Sequence, residues 1–512
     1  MTTLAPSRPP VNVPGTDLPA HGTASAAMAE LLPTPSTPTA TKIAFVGVGL
    51  KMHFVWADAC KAYWEAVDVF KSTVKGTPIE VVAPEEPFED PGDVLAAVDQ
   101  LFAEGVRGIV LFHGSYTAGE IASQLARWLV DHPMPLLSWA FPESTGGRLT
   151  ANSLCCQNFV LNAMKRLDIT YQWMFQPIDS PVASAELGRF ARSVRARARL
   201  IQGKALMVGA GRVPGFYDAE CDELAVMKRF GLRYDRLDLM EVMKHGEHFD
   251  AGGVAKVRQA LTAEPGCGFN NVPDEQADDT IRLALATLDL AAAGGHIGCS
   301  IRCWPTLWDH YSCAADGALT LINDQGLPAA DENDMLGLLS MLSMHLLHEG
   351  HTLPTLMDIS LLDAERNRLG FWHCGGSATR LVRAGTAYET RRHSIMENAD
   401  EETAVGLLVE ALLATGPVTV TRYLSPDGAK AFTFEGDIRE SPMAFRGSYA
   451  ECEPADATAD QVMGTILDHG MDHHWIIGRG RFAEDLALLN HWLGVTPLQV
   501  SNPGDCRGLS HH

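Results

Sequence analysis

From Lys42 onward, short apolar runs alternate with longer stretches rich in alanine and leucine, and this alternation constrains the fold more than any other feature. Residues 43–48 read as a buried strand closed by glycine, and a helical pattern follows over 54–74. Strand-like runs recur at 79–82, 108–112 and 136–140, with helical stretches between them. Strands joined through helices at this spacing imply a parallel, doubly wound sheet. A second alternating block starts after Pro177, with strands expected at 205–208, 234–239 and 297–302. Its helices are expected near 218–230, 254–263 and 278–293, and a long helix from Met335 to about His348 closes it. Beyond Leu353 the runs at 418–423, 431–434 and 443–449 are short, β-branched or aromatic, and separated by Gly, Pro and Asp. That pattern reads as antiparallel, barrel-like sheet. The end is mixed, with a strand at 474–477, a helix near 482–493 and a strand at 498–500. The expected class is therefore α/β: two doubly wound, Rossmann-like domains at 42–176 and 177–352, then a β-rich antiparallel or barrel-like domain at 353–512. Residues 1–41, rich in Pro, Thr and Ala, lack a basic start followed by an apolar stretch. They are expected to be a disordered tail and not a secretory signal.

Charge and cysteine usage narrow the function. Forty Lys plus Arg against 63 Asp plus Glu leave a formal charge of −23, which repels phosphate backbones and anionic lipid. Nucleic acid and membrane are therefore not expected partners, and no apolar run reaches the length of a spanning helix. The arginine-dense stretch at 189–199 has the spacing of one helix face and is expected to be solvated. Eleven cysteines, an odd number without repeated spacing, read as reduced thiols of a cytoplasmic protein. Gly209-Ala210-Gly211-Arg212-Val213-Pro214-Gly215 follows a strand but lacks the dinucleotide spacing, and Gly47-Val48-Gly49 lacks a third glycine. No phosphate-binding G-x-x-x-x-G-K-[ST] loop exists, so no nucleotide cofactor is expected. His345, His348, Glu349 and His351 are not an H-E-x-x-H pair, and they fall where a helix stops at Gly350. Histidines there suit the helix dipole.

Three separated segments carry what a hard divalent metal requires. Asp331-Glu332-Asn333-Asp334 opens an apolar helix, where Asn and Asp also serve as caps. Asp358 interrupts the apolar run of residues 356–360, and a buried carboxylate needs a cation or donors. His473-His474 leads into a strand, and His373 stands just before a glycine turn in Trp372-His373-Cys374-Gly375-Gly376.

Together these pieces resemble the L-fucose/L-arabinose isomerase family. The resemblance runs from Lys42 to Val500 and is strongest in Ile301-Arg302-Cys303-Trp304-Pro305, Glu332-Asn333-Asp334-Met335-Leu336-Gly337, Met357-Asp358, His373-Cys374-Gly375 and His473-His474. The spacing supports it, with 26 residues from Glu332 to Asp358 and 15 from Asp358 to His373. The resemblance implies that Glu332 and Asp358 are the paired acids that bind Mn²⁺ and move protons, and that His474 is the histidine ligand. It implies that His373 is a further ligand in the arabinose branch, that Arg302, Trp304 and His373 face the substrate, and that the chain forms a homo-oligomer, a hexamer or trimer. Mg²⁺ and Co²⁺ are the alternative ions.

The chemistry agrees. Interconverting an aldose and a ketose removes a proton beside a carbonyl and returns one to the neighbouring carbon. A divalent metal stabilises the charge of the enediol(ate), and two carboxylates serve as base and acid. Oxygen-rich ligation with one imidazole suits Mn²⁺ better than structural zinc. One departure is Arg302, where the family often has glutamine; a guanidinium there would bind a carboxylate, sulfonate or phosphate. The expected function is a metal-dependent isomerase of a free sugar. The alternatives are a related enzyme on an acidic sulfo- or carboxy-sugar, or a non-catalytic sugar sensor.

Overall fold

The computed structural model describes residues 22–33, 39–263, 271–348 and 351–504. The chain divides into two compact units.

The described part of the first unit comprises residues 39–199 and 487–493. Its strands are β1 (Thr41–Val48), β2 (Ile79–Val82), β3 (Val106–His113), β4 (Leu136–Ala140) and β5 (Gln172–Phe175). They lie in the order β2-β1-β3-β4-β5, all parallel. The central strands are apolar on both faces because helices cover both: Ala44, Val46 and Ile109 pack into one core, and Ile43, Phe45 and Val110 into the other. The arginine-dense stretch lies in the helix Pro181–Gln202, and here the expected solvated face is corrected. Arg195 is buried, and its guanidinium donates to the Thr39 and Pro78 carbonyls and to Thr41 Oγ1 at 3.1–3.2 Å. Arginine can do this because its five donors reach several oxygens at once where β1 and β2 begin, the Pro78 carbonyl among them also accepting from the Thr41 amide at 2.9 Å.

The second unit contains two sheets. β6 (Lys204–Val208), β7 (Arg233–Leu237), β8 (Gly298–Ile301) and β9 (Ala329–Asp331) form a parallel sheet in the order β7-β6-β8-β9. The helix expected at 218–230 is shorter, Glu223–Phe230, capped by the Asp222 side chain. The Thr23–Ala29 segment, expected within the tail, is instead a helix: Met28 is buried and Thr23 Oγ1 donates to the Ala260 carbonyl. Residues 1–21 and 34–38, the rest of that stretch up to Pro38, lie outside the described residues. The helix Met335–Leu347 ends at His348, so the histidines stand at its C-terminus as expected; Glu349 and Gly350 lie outside the described residues.

The second sheet has nine strands: β10 (Thr355–Asp363), β11 (Arg368–His373), β12 (Glu389–Arg392), β13 (Gly406–Leu412), β14 (Gly416–Tyr423), β15 (Lys430–Arg439), β16 (Ser448–Pro454), β17 (His474–Arg479) and β18 (Thr496–Leu498). Pairing runs β16-β11-β10-β17-β14-β15 and returns from β15 to β16, so six antiparallel strands close on themselves. The barrel expected from the run pattern is present. Alternate residues Met357, Phe371, Val420, Phe432 and Trp475 share one core. Each apolar side chain fully removed from water there contributes about 1.5–3 kcal/mol. The period of two sends Asp358 and His474 to the other face. They are direct cross-strand partners, Asp358 opposite His474.

Candidate active site and metal centre

The parallel sheet of the second unit ends its strands at β6, β8 and β9, and the carboxyl ends of such strands are where α/β folds bind ligands. Arg302 and Trp304 follow β8, and Asp331 ends β9. Glu332 and Asn333 both adopt positive φ, 60° and 54°. Asparagine tolerates that region, but glutamate enters it only when its surroundings hold it. They do so here: Asp331 Oδ1 accepts from the Glu332 amide at 2.7 Å, and Asn333 Nδ2 donates to the carbonyls of Val208, Gly209 and Gly211.

This turn, the face of the barrel that carries Asp358 and His474, and the end of β11 bring together Glu332, Asp358, His373 and His474. His474 Nε2 lies 3.4 Å from Glu332 Oε2 and 3.7 Å from Asp358 Oδ1. Glu332, His473 and His474 form one group able to hold a metal ion, and Asp358, His373 and His474 form another, with ligand atoms within 4.8 Å of one another in each. Both Glu332 Oε2 and Asp358 Oδ1 are buried without a hydrogen-bond donor. Two such oxygens beside one imidazole nitrogen fit a hard divalent cation.

The supporting shell is as specific. Asp334 Oδ2 accepts from His474 Nδ1 at 2.9 Å, which turns Nε2 toward the two acids, the arrangement that orients metal-ligating histidines. Its other oxygen accepts from the Gly337 amide at 2.8 Å and caps the helix Met335–Leu347. Arg422, 1% exposed, donates to Asp334 Oδ2 and to the Asp218 carbonyl, with Asp472 Oδ2 3.5 Å from its Nε. Burial pushes the Asp334 carboxyl up, but Arg422 and His474 outweigh it and hold it at about 2. Burial pushes His474 down, yet Asp334 and Glu332 raise it to about 9. A proton and a cation therefore compete for Nε2. Asp331 is raised well above the usual carboxylate range by burial and by the charges of Asp316 and Glu332.

Trp304 Nε1 approaches Glu332 Oε1 at 3.4 Å, with its ring edge-on to Phe216 and stacked on Trp308. Arg302 does not reach the acids by any hydrogen bond. Its guanidinium donates to the Ala210 carbonyl at 2.5 Å and to Thr306 Oγ1 at 2.6 Å. His473 donates to Asp218 Oδ2 at 2.6 Å, and its other nitrogen lies 3.7 Å from Glu332 Oε2.

Asp218, Arg422 and the anchoring role of Asp334 escaped sequence reasoning. Asp218 sits in a single helical turn, Tyr217–Ala219, without a chemical pattern, Arg422 looks like an ordinary strand residue, and Asp334 reads fully as a cap. The nine described cysteines are all free. No helix among the described residues is long and apolar enough to cross a membrane.

Fold and site together describe an α/β protein with a carboxylate–imidazole cluster, able to hold a metal ion, seated against a β-barrel. No family model matches the chain. Curated relatives do match. A sulfoquinovose isomerase from Alkalicoccus urumqiensis is 25% identical over 373 residues, spanning 72% of this chain and 81% of that protein. One from Priestia aryabhattai is 23% identical over 428 residues, 82% of this chain and 92% of that one. One from Clostridium sp. (strain MSTE9) is 27% identical over 363 residues, 69% and 78%. A solved glucose–galactose binding protein from Geobacillus stearothermophilus overlays with a TM-score of 0.16 at 14% identity, covering 56% of this chain and 89% of that one, a likeness too low to carry weight.

Proposed function

We propose that this chain is a metal-dependent aldose–ketose isomerase whose substrate is a sulfonated aldose. The carrying observation is that two donor-less buried carboxylate oxygens, Glu332 Oε2 and Asp358 Oδ1, face one imidazole nitrogen that Asp334 aims at them. Curated relatives of nearly matching length are sulfoquinovose isomerases, which supports the sulfonated substrate over a neutral one.

In this reading Glu332, Asp358 and His474 hold a Mn²⁺-type ion, with His373 beside them; the ion supplies Lewis-acid stabilisation of negative charge on two adjacent substrate oxygens. Glu332 and Asp358 move the proton between the two carbons. The Trp304 indole steers one Glu332 oxygen and leaves the other for substrate and ion. Asp334 keeps His474 in a single tautomer. Arg302 supplies the anion contact: two of its five donors are engaged, and the remaining edge takes a sulfonate. A homo-oligomeric, cytoplasmic enzyme is part of the same proposal, consistent with the unpaired cysteines.

The test is proton exchange. Chelator-stripped protein, with and without Mn²⁺, is incubated in D₂O with sulfoquinovose and with neutral aldoses, and NMR reads ketose and deuterium beside the carbonyl. Metal-dependent turnover of the sulfonated sugar is expected. Turnover of neutral aldoses alone selects the neutral-sugar reading. Binding without exchange or turnover refutes the enzyme. Within the main reading, Arg302→Gln should lower kcat/KM for the sulfonated sugar about 30-fold or more. A change below threefold removes Arg302 from the anion contact.

A further inference from the structure

Beside the centre described above lies a second group of ligand-type side chains that the proposed reaction does not use. Asp316 is the second residue of the helix Ala315–Asp324, Cys374 follows β11, and His393 follows β12. Their ligand atoms lie within 4.8 Å of one another, and His393 Nε2 is 3.9 Å from Asp316 Oδ2. The turn carrying Cys374 approaches the helix this closely because Gly375 has no side chain: a Cβ there would stand 2.8 Å from Asp316 Cβ.

We infer that Asp316, Cys374 and His393 form a second cation site, selective for a thiophilic divalent ion of the zinc type. Asp316 is 1% exposed and its Oδ2 has no hydrogen-bond donor. No lysine or arginine pairs with it among the described residues; its ion-pair partner is His393 alone. His393 is 3% exposed and its Nδ1 is likewise without a partner. A carboxylate oxygen removed from water favours a cation or donors, and Oδ2 has no hydrogen-bond donor and, besides the imidazole 3.9 Å away, no cationic neighbour. The donor set identifies the ion: one thiol, one imidazole and one carboxylate are borderline-soft and suit tetrahedral zinc, with one position left for water, whereas Mn²⁺ and Mg²⁺ prefer oxygen. The Trp308 ring, 4.9 Å from that of His393, walls the group on one side. The two ligand sets share no residue. Asp331 and His373 lie between them, since their ligand atoms also come within 4.8 Å of Asp316. An ion here would tie the first turn of the helix Ala315–Asp324 to the ends of β11 and β12.

Co²⁺ is the probe, because thiolate ligation gives it a near-ultraviolet charge-transfer band that oxygen and imidazole ligands do not. Chelator-stripped full-length protein titrated with Co²⁺ should develop this band. It should persist in Glu332→Gln and vanish in Cys374→Ser. Metal analysis after Zn²⁺ loading and desalting should find one equivalent fewer in Cys374→Ser than in the parent. Circular dichroism verifies that each variant is folded. Should Cys374→Ser not fold, Asp316→Asn decides: it keeps the thiol and should weaken Zn²⁺ binding by at least about tenfold. No charge-transfer band in the parent at saturating Co²⁺, an unchanged band in folded Cys374→Ser, or unaltered Zn²⁺ affinity in Asp316→Asn overturns the assignment.

Discussion

Asp334 shows how densely the site is used at the scale of single residues. One oxygen starts a helix, and the other holds both the His474 imidazole and the Arg422 guanidinium. Gly337 makes this arrangement possible, because a Cβ at that position would sit 2.3 Å from Asp334 Oδ2 and 2.6 Å from an Arg422 nitrogen. Gly337→Ala should therefore destabilise the protein by about 1–3 kcal/mol, measured by denaturant unfolding, although alanine is the better helix former. A stabilised variant would show that the buried network can move aside. Glu332→Gln and Asp358→Asn are nearly isosteric, so each should abolish turnover while leaving the circular dichroism spectrum unchanged. Near-normal kcat in either variant removes the proton-transfer roles. His474→Ala should act first on the ion, seen as a raised Mn²⁺ requirement. An unchanged requirement points to His473, which stands 3.7 Å from the same glutamate.

At the scale of elements, two buried polar arrangements in the first unit make distinct predictions. Arg195→Ala leaves the Thr39 and Pro78 carbonyls without this donor and opens a cavity, so unfolding should cost about 2–4 kcal/mol less. At the end of β3, His113 contacts Ser138 Oγ at 2.8 Å and Cys156 Sγ at 3.3 Å, and burial pushes its imidazolium down to about 3. The native state thus keeps His113 neutral while the unfolded chain takes up a proton below pH 6.5. Stability is full above that pH and is lost as pH falls toward 3, by about 2 kcal/mol between pH 7 and 5. Denaturant unfolding at the two pH values should show this loss, and His113→Gln should reduce it; an equal slope in the variant clears His113. Legibility followed the same physics. β1, β3 and β4 were readable because strands buried on both faces are continuous apolar runs, and β2, at the other edge, kept a short run in Ile79, Val81 and Val82. β5, at the sheet edge with Trp173 61% exposed, offered no such run. A strand expected at 443–449 lies instead at Ser448–Pro454, because Glu451 and Glu453 break the apolar pattern while pairing with Arg366 and Arg368. The terminal strand expected at 498–500 is Thr496–Leu498. Asp358 stood out as an acid within an apolar run, whereas Glu332 and His474 were singled out by the family resemblance. Their supports did not stand out, since Arg422 meets Asp334 across 88 positions and His474 meets it across 140.

For the molecule as a whole, an ion bound to the native state and not to the unfolded chain stabilises by mass action. Mn²⁺ at about a hundred times its Kd should add about 2.7 kcal/mol to unfolding, measured in chelator-stripped protein before and after addition. The gain should shrink in Glu332→Gln; an equal gain there would place the stabilising ion elsewhere. The closed barrel has a further consequence, for the order in which the protein is made. β17 is the last of the six barrel strands in the chain, yet it sits between β10 and β14 and carries His474. Until residue 479 leaves the ribosome, β10 and β14 each present an edge with unpaired backbone groups, open to wrong partners. Ribosome-bound chains stalled before β17 emerges should be cut by protease within those two strands, and chains stalled after it should resist. The centre is then completed only once β17 has emerged, and until that moment the nascent chain holds a sheet awaiting its middle strand.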